Sequence, residues 1–179
     1  MGIFWRAVPV ATDDAAPPDP FGWSCRTCPH PTVHRTVGFS IPLRHMLIDT
    51  HAHLYLDQFD DDRAAVLQRA RDAGVETIVM PAIGTPSIQQ AVDLCEQHDG
   101  LYAMTGLHPS ETEDATDADF ETVKEWCDHP SIVAVGESGL DYYWDRSFDD
   151  RQQAFFRRHI RLAIEADLPL VIHNREATD

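Results

Sequence analysis

The chain has 179 residues, which is enough for one domain with a sizeable hydrophobic core. Its 14 Lys and Arg residues against 30 Asp and Glu residues give a formal net charge of −16, so its surface repels nucleic acid at long range. No run approaches the roughly 18 apolar residues of a membrane span, and no signal-peptide pattern opens the chain. We therefore expect a cytoplasmic protein that does not contact a membrane.

Residues 1–45 differ in composition from the rest of the chain and show no sustained periodicity. They are rich in proline, including Pro17, Pro18 and Pro20, which is typical of a disordered or loosely held segment. A clean strand pattern begins at Met46 with no linker before it. We therefore predict that residues 1–45 are a disordered or mis-called N-terminal extension and that the domain covers residues 46–179. A genuine appendage is the alternative.

From Met46 onward, short apolar runs alternate with segments of helical periodicity. Strands are predicted at 46–49, 77–80, 102–105, 132–135 and 170–172, and helices at 60–73, 85–98, 117–127 and 147–167. The strands are apolar and mostly non-alternating, which indicates a parallel sheet buried on both faces. Because a complete barrel needs roughly 250 residues, we predict an α/β fold, a TIM (β/α)8 barrel of the metal-dependent hydrolase type, truncated after about the fifth strand.

Polar residues of the metal-ligand type follow three of the predicted strands, the first, the fourth and the fifth. His51 and His53 leave the first strand side by side, because residues i and i+2 of a strand share a face. Glu137 follows the fourth strand, where a buried carboxylate is costly unless it meets a cation. His173 ends the fifth strand. Each residue taken singly is more often structural, but their joint placement at one edge of the sheet indicates a metal site.

The same residues predict which ions the site would hold. Imidazole and carboxylate together suit Zn, Mn, Ni or Fe, and Mg suits a carboxylate-rich side. Glu137 has two oxygens, so it could bridge one ion held by His51 and His53 and a second ion held by His173. Two divalent ions would activate water and polarise a phosphoryl oxygen, which favours a metal-dependent hydrolase.

Two further residues are candidates for binding substrate. His108 precedes Pro109 at the exit of the third strand and could hydrogen-bond a substrate phosphate; we predict a catalytic and substrate-binding role for it rather than a ligand role. Arg175 lies two residues after His173 and could hold a phosphate through bidentate hydrogen bonds. A surface arginine on a loop is an equally good interpretation. Such a local positive charge is what an acidic protein would need to attract nucleic acid.

Four segments resemble, in order and spacing, the motifs of the TatD family of metal-dependent hydrolases. They are Asp49–Leu54, Gly106–Pro109, Gly136–Tyr142 and Pro169–Ala177. The resemblance implies a TIM barrel with a divalent metal pair that hydrolyses phosphodiesters, often as a 3′→5′ exonuclease on DNA or RNA. It also implies that His51 and His53 bind one metal, that Glu137 bridges as a catalytic residue, and that His173 binds the other.

The function predicted from the sequence is that of the N-terminal portion of a TatD-type deoxyribonuclease, a monomer when full length, with DNA or RNA as its partner. The resemblance implies two further ligands, a His after strand six and an Asp after strand eight, beyond residue 179. We therefore expect this chain alone to be inactive. One alternative is a related barrel hydrolase acting on an amide, a lactone or an aminoacyl ester. The other is a truncated, non-catalytic fragment that binds a partner.

Overall fold

The computed structural model of the protein describes residues 46–178. Strands and helices alternate along them: β1 (Leu47–Asp49), α1 (Arg63–Asp72), β2 (Val75–Met80), α2 (Thr85–Gln97), β3 (Leu101–Thr105), α3 (Asp117–Glu125), β4 (Ile132–Asp141), α4 (Asp149–Glu165) and β5 (Leu170–Arg175). Short 3-10 helices lie at Asp57–Phe59, Pro109–Thr112 and Trp126–Asp128. The predictions made for residues 1–45 lie outside the described residues.

The five strands form one sheet in the order β1-β2-β3-β4-β5, and every neighbouring pair is parallel. A parallel pair needs a crossover connection, and the helices supply it, so each strand lies beside the next one in the chain. This is the arrangement of the first five strands of a (β/α)8 barrel, and it confirms the predicted fold class. None of the helices within residues 46–178 is both long enough and apolar enough to cross a membrane.

The sheet separates two apolar clusters of unequal size. On β2, Ile78 and Met80 join the large cluster that also contains the buried residues of the helices. Val79 lies between them and joins Met104 and Ala134 in a separate, small cluster. Successive strand residues point to opposite faces, so the large cluster lies under the helices and the small one on the opposite face. The helix-covered face therefore carries most of the core.

Helix α4 shows how the sequence places a helix on that face. Its buried apolar residues Phe155, Leu162 and Ala163 recur at helical spacing, and His159 lies among them with no exposed surface. The opposite side of the helix is charged, which is the amphipathic pattern of a helix packed on a sheet. The buried stripe of α4 packs against β4, so it supports the strand that carries Glu137.

Strand β4 is longer than the sequence predicted, because it continues past 132–135 as far as Asp141. Its pairing with β5 shifts register and then resumes, and Gly139 pairs with His173. Gly139 has a φ of 156°, and a side chain there would collide with the carbonyl oxygen of His173. Glycine therefore permits a close approach of the two strands. Glu137 consequently lies within β4 rather than after it, beside the strand that carries His173.

Candidate metal centre

The turn after β1 and the second half of β4 bring together His51, His53 and Glu137, which we call the first donor group. One potential ligand atom from each lies within 4.8 Å of the other two. Nε2 of His51 is 3.3 Å from Oε2 of Glu137, and the two histidine rings meet edge to face with centroids 5.1 Å apart. The predicted pair of imidazoles at the end of the first strand therefore faces the predicted carboxylate.

A buried tyrosine fixes the proton position on His53. The hydroxyl of Tyr55 donates its hydrogen to the carbonyl oxygen of Pro81 at 2.9 Å. The same hydroxyl lies 2.8 Å from Nδ1 of His53, so it must accept a hydrogen from that nitrogen. Nε2 of His53 is therefore the nitrogen with a free lone pair. This is the tautomer that a metal ligand requires, held in place by a neighbour.

A second donor group consists of His108, His173 and the same Glu137. Its three potential ligand atoms also lie within 4.8 Å of one another. Nδ1 of His173 is 2.8 Å from Oε1 of Glu137 and 3.1 Å from Nε2 of His108. Glu137 thus presents Oε2 to the first group and Oε1 to the second. This is the geometry expected of a carboxylate placed between two ions.

The far side of His173 is anchored by a second carboxylate. Nε2 of His173 lies 3.0 Å from Oδ2 of Asp141, which is buried at the end of β4. The side chain of Gln152 holds the backbone of Asp141 in turn: its Oε1 accepts the N–H of Asp141 at 2.8 Å, and its Nε2 donates to the carbonyl oxygen of Asp141 at 3.0 Å. A histidine that is hydrogen-bonded to a carboxylate through one ring nitrogen presents its other ring nitrogen in a fixed direction. In His173, the nitrogen presented to the site is Nδ1.

The protonation of these residues follows from their contacts. Burial by itself raises the pKa of Glu137, but its hydrogen bond with His173 and the nearby His51 and His108 outweigh burial and hold the pKa below its usual range. The same hydrogen bond raises the pKa of His173 against the opposing effect of burial. Burial lowers the pKa of His53 and brings that of His108 to about 4. The site therefore holds an ionised carboxylate among imidazoles of unequal basicity.

A hydrogen bond from helix α4 holds the loop that carries His108. Nε2 of the buried His159 accepts the backbone N–H of Leu107 at 3.1 Å, and its Nδ1 donates to the carbonyl oxygen of Phe155 at 2.8 Å. On the outer side, the backbone N–H of Ser110 lies 3.2 Å from Nδ1 of His108. The position of His108 is thus set by helix α4 and by the turn that follows it.

The chemistry of this donor set fits divalent metal ions. Four imidazoles surround one carboxylate that is only 8% exposed, and a buried carboxylate is costly without a cation beside it. Imidazole and carboxylate are ligands that Zn, Mn, Ni and Fe accept, and Mg accepts the carboxylate. His51 and His53 could hold one ion and His173 another, as predicted. His108, predicted to contact substrate, is also placed where it could act as a ligand.

Arg175 is the one predicted site residue that lies outside both donor groups. Its guanidinium carbon is 3.8 Å from the ring centroid of Tyr143, at the end of β5. The carboxylate of Asp49 accepts the backbone N–H of His51 at 3.0 Å. That contact shapes the turn after β1 rather than the imidazole.

Sequence reasoning missed three of the supporting contacts. Tyr55 follows His53 by two residues, a spacing that could have suggested a contact with it. The contact of Asp141 with His173 depends on the extension of β4 past Glu137. The long-range hydrogen bond of His159 to Leu107 has no local sequence signal.

Comparison with known proteins places these residues in a family. The family described as TatD related DNase matches residues 48–179. YabD of Bacillus subtilis, described as an uncharacterized metal-dependent hydrolase, is 46% identical over 134 residues, which is 75% of this chain and 52% of YabD. The 3′-5′ ssDNA/RNA exonuclease TatD of Erwinia tasmaniensis is 36% identical over 134 residues, or 73% of this chain and 51% of that protein. The chain spans about half the length of the curated relatives it matches.

Solved structures show the same fold. The crystal structure of YjjV, a TatD homolog from Escherichia coli K12, matches with a TM-score of 0.70 at 36% identity, over 75% of this chain and 52% of that one. A TatD family hydrolase from Entamoeba histolytica matches with a TM-score of 0.67 at 24% identity, over 74% of this chain and 50% of that one. The second likeness shows the shared fold alone.

Proposed function

This chain belongs to the TatD related DNase family of metal-dependent hydrolases, and we propose that its site hydrolyses phosphodiester bonds of DNA from the 3′ end, with RNA as a second substrate. The observation that carries this proposal is the sharing of Glu137 by two donor groups at the carboxyl ends of the strands. Active sites of (β/α)8 barrels lie at that edge. A carboxylate between two ions suits in-line displacement at phosphorus.

The proposed roles follow the two groups. His51 and His53 would hold one divalent ion, His173 would hold a second, and Glu137 would contact both. The ions, drawn from Mg, Mn, Zn, Ni and Fe, would supply Lewis acidity toward a phosphoryl oxygen. Tyr55 and Asp141 keep His53 and His173 in the required tautomer and orientation. The site residues thereby remain in place before substrate arrives, which is the condition for electrostatic catalysis.

His108 and Arg175 would act on the substrate. Because the pKa of His108 is about 4, its ring is neutral at pH 7 and could offer an N–H to a phosphate oxygen or a lone pair to an ion. We assign catalytic roles to His108 and Glu137. Arg175 would bind a backbone phosphate through its planar set of donors. Such local attraction would offset the repulsion that a net charge of −16 exerts on nucleic acid.

We propose that this activity requires a longer protein, which also contains the part that corresponds to the second half of its relatives. The family resemblance implies one further His and one further Asp ligand there, so we expect residues 1–179 by themselves to have little nuclease activity. We also propose that the full-length protein is a monomer in the cytoplasm.

The proposal is tested by removing metal from the full-length protein with a chelator and restoring Mg, Mn, Zn, Ni or Fe(II) singly. Substrates are 5′-labelled single-stranded DNA and RNA, together with a panel of amides, lactones and aminoacyl esters. We expect the labelled strands to shorten stepwise from the 3′ end only when metal is restored, and His51→Ala to abolish the shortening. Metal-dependent hydrolysis confined to the amide, lactone or ester panel would instead support the related barrel hydrolase. No hydrolysis with any ion would support a non-catalytic binding protein.

A further inference from the structure

The second half of β4 extends beyond one of its two neighbouring strands. Strand β3 ends at Thr105, and its pairing with β4 runs only as far as Thr105 and Val135. On the other side, β4 stays paired with β5 as far as Asp141 and Arg175. Within residues 46–178, the stretch 136–141 therefore has a strand beside it on one side only. It is also the stretch that carries Glu137 and Asp141.

The backbone of Asp141 faces the side that has no strand. In a strand, the N–H and C=O groups of one residue point to the same side, and those of the next residue point to the other. The N–H of Tyr142 donates to the carbonyl oxygen of Arg175 on β5 at 2.9 Å. Both backbone groups of Asp141 consequently point away from β5. Because Asp141 is buried, leaving these two groups without partners would be costly.

The side chain of Gln152 takes the place of the missing strand. Its Oε1 accepts the N–H of Asp141 at 2.8 Å, and its Nε2 donates to the carbonyl oxygen at 3.0 Å. Gln152 lies in the first turn of helix α4 and is only 1% exposed. A side-chain amide carries a donor and an acceptor side by side, as a peptide group does. One glutamine therefore satisfies both backbone groups of this residue of β4.

Asp141 transmits this contact to the second donor group. Its Oδ1 accepts the backbone N–H of Tyr143 at 3.1 Å, and its Oδ2 lies 3.0 Å from Nε2 of His173. Both carboxylate oxygens are thus engaged, so the place of Oδ2 depends on where the backbone of Asp141 is held. A shift of that backbone would turn the ring of His173 and move Nδ1, which lies 2.8 Å from Oε1 of Glu137.

The next residue of the helix provides a contrast. Nε2 of Gln153 donates to the hydroxyl of Tyr142 at 3.0 Å, and its Oε1 accepts from Arg157 at 3.2 Å. Neither of these partners belongs to a donor group. Two adjacent glutamines of α4 therefore hold different parts of the protein, and Gln153 is the matched control for Gln152.

We propose that Gln152 is a positioning residue for the ion assigned to His173: by pairing with the backbone of Asp141, it fixes the carboxylate that orients the His173 ring. This inference rests on the proposed function, because it concerns an ion that the proposed function places there. Gln152 itself touches neither ion nor substrate. Its effect is selective, since the first donor group has no contact with Asp141 among the described residues.

The test uses the full-length protein, freed of metal and titrated calorimetrically with Zn. Gln152→Met keeps the length of the side chain but removes both hydrogen bonds to Asp141. Gln153→Met makes the same change at the next position of the helix. We expect Gln152→Met to lower the Zn affinity of the second group by about tenfold and to leave that of the first group unchanged. Gln153→Met should leave both affinities unchanged.

A second arm asks whether Gln152 acts through Asp141. Substitutions at two residues that act through one another have non-additive effects. When Gln152→Met is added to Asp141→Asn, the Zn affinity of the second group should therefore fall by a further factor of about two or less. A further loss of the full size seen in the wild-type background would overturn the inference, because Gln152 would then act by another route.

Circular dichroism and melting temperature show whether each variant is folded. Gln152→Asn keeps the amide but is one methylene shorter, so it cannot span both backbone groups, and it replaces Gln152→Met if that variant does not fold. A folded Gln152 variant with a lower melting temperature but wild-type Zn affinity in the second group would overturn the inference, because the amide would then support only the fold. Absence of metal-dependent cleavage of single-stranded DNA by the wild-type protein would instead remove the proposed function, while the Zn titration would still decide the role of Gln152.

Discussion

The two donor groups share Glu137 but differ in how firmly the protein holds their other members. In the first group, His51 follows a strand of three residues and its side chain is 46% exposed. In the second, the side chain of His173 is 18% exposed and lies within a paired stretch of β5. Within residues 46–178, His173 contacts Glu137, His108 and Asp141, whereas His51 has a single side-chain ion-pair partner, Glu137.

Glu137 therefore joins a donor group whose side chains are firmly held by the protein, the second, to one whose side chains are less constrained, the first. The second group is arranged by the protein itself, through the close contact of β4 and β5 and through helix α4. In the first group, Tyr55 lies behind His53, and Asp49 holds only the backbone N–H of His51 and not its ring. We therefore expect the side-chain positions in the first group to depend more on a bound ion than those in the second group do.

Removal of the shared carboxylate should have the largest effect, because it affects both groups. Glu137→Ala deletes the oxygen facing His51 and the oxygen facing His173. We expect metal-dependent phosphodiester hydrolysis to fall by at least about 1,000-fold, since charge stabilisation by bound metal is worth several kcal/mol. Steady-state cleavage of labelled single-stranded DNA at saturating metal measures it. Full activity in this variant would show that Glu137 is not part of the reaction centre.

The next largest effect should come from the carboxylate behind His173. Asp141→Asn keeps the shape of the side chain but removes the charge that faces Nε2 of His173. We expect metal affinity of the second group, and with it activity, to fall by about 10- to 100-fold, as for other carboxylates behind metal-binding histidines. Calorimetric metal titration resolves the two groups, and the first should keep its affinity. An equal loss of metal affinity in both groups would contradict the view that the protein holds the two groups independently and with different firmness.

The corresponding change behind the first group should be smaller. Tyr55→Phe removes the hydroxyl that accepts Nδ1–H of His53 and donates to Pro81. The hydrogen bond between Tyr55 and His53 is neutral, whereas the one between Asp141 and His173 involves a carboxylate. We therefore expect Tyr55→Phe to lower metal affinity by only about tenfold, and only in the first group. The freed carbonyl of Pro81 should also lower the free energy of unfolding by about 1 kcal/mol. A loss of affinity in the second group instead would reverse the assignment of Tyr55.

The smallest effect on activity should come from His159, which supports the second group only through the backbone of Leu107. Burial lowers the pKa of His159 to about 4. The unfolded chain therefore takes up a proton near pH 6.5 that the folded protein does not take up until about pH 4. Stability is consequently lost as the pH falls through that window, by up to about 3 kcal/mol for this residue.

Replacement of His159 by glutamine tests this directly. His159→Gln keeps a side chain able to accept the N–H of Leu107 but removes the titrating ring. Urea unfolding between pH 7 and pH 4 should show a shallower loss of stability in the variant than in the wild-type protein. Identical slopes would mean that another group governs the acid sensitivity of this region.

Much of the fold could be predicted from local patterns. The apolar runs, the helical spacing of residues such as Phe155 and Leu162, and the unit length together indicate a parallel βα repeat, and the structure has that repeat. The positions of His51, His53 and Glu137 follow from one rule, that the carboxyl ends of parallel strands lie at the same edge. A local pattern and one rule of topology were sufficient for these residues.

The supporting contacts depend on information that a local pattern does not contain. The end of β4 could not be found from apolar residues, because Ser138, Gly139 and Asp141 extend the strand through pairing with β5. The approach of His108 to His173 joins residues far apart in sequence. Such distances are set by strand register and close backbone packing. The sequence therefore indicated which strands carry these residues, but not the distances between their side chains.

The central claim is that two metal-binding groups share Glu137, and metal content measures it most directly. The full-length protein and three variants are loaded with Mn or Zn, freed of excess ion, and analysed for bound metal per chain by mass spectrometry. We expect two ions in the wild-type protein, one in His53→Ala, one in His173→Ala and fewer than one in Glu137→Ala. Circular dichroism confirms that each variant remains folded. Two ions retained by a folded Glu137→Ala protein would contradict the claim.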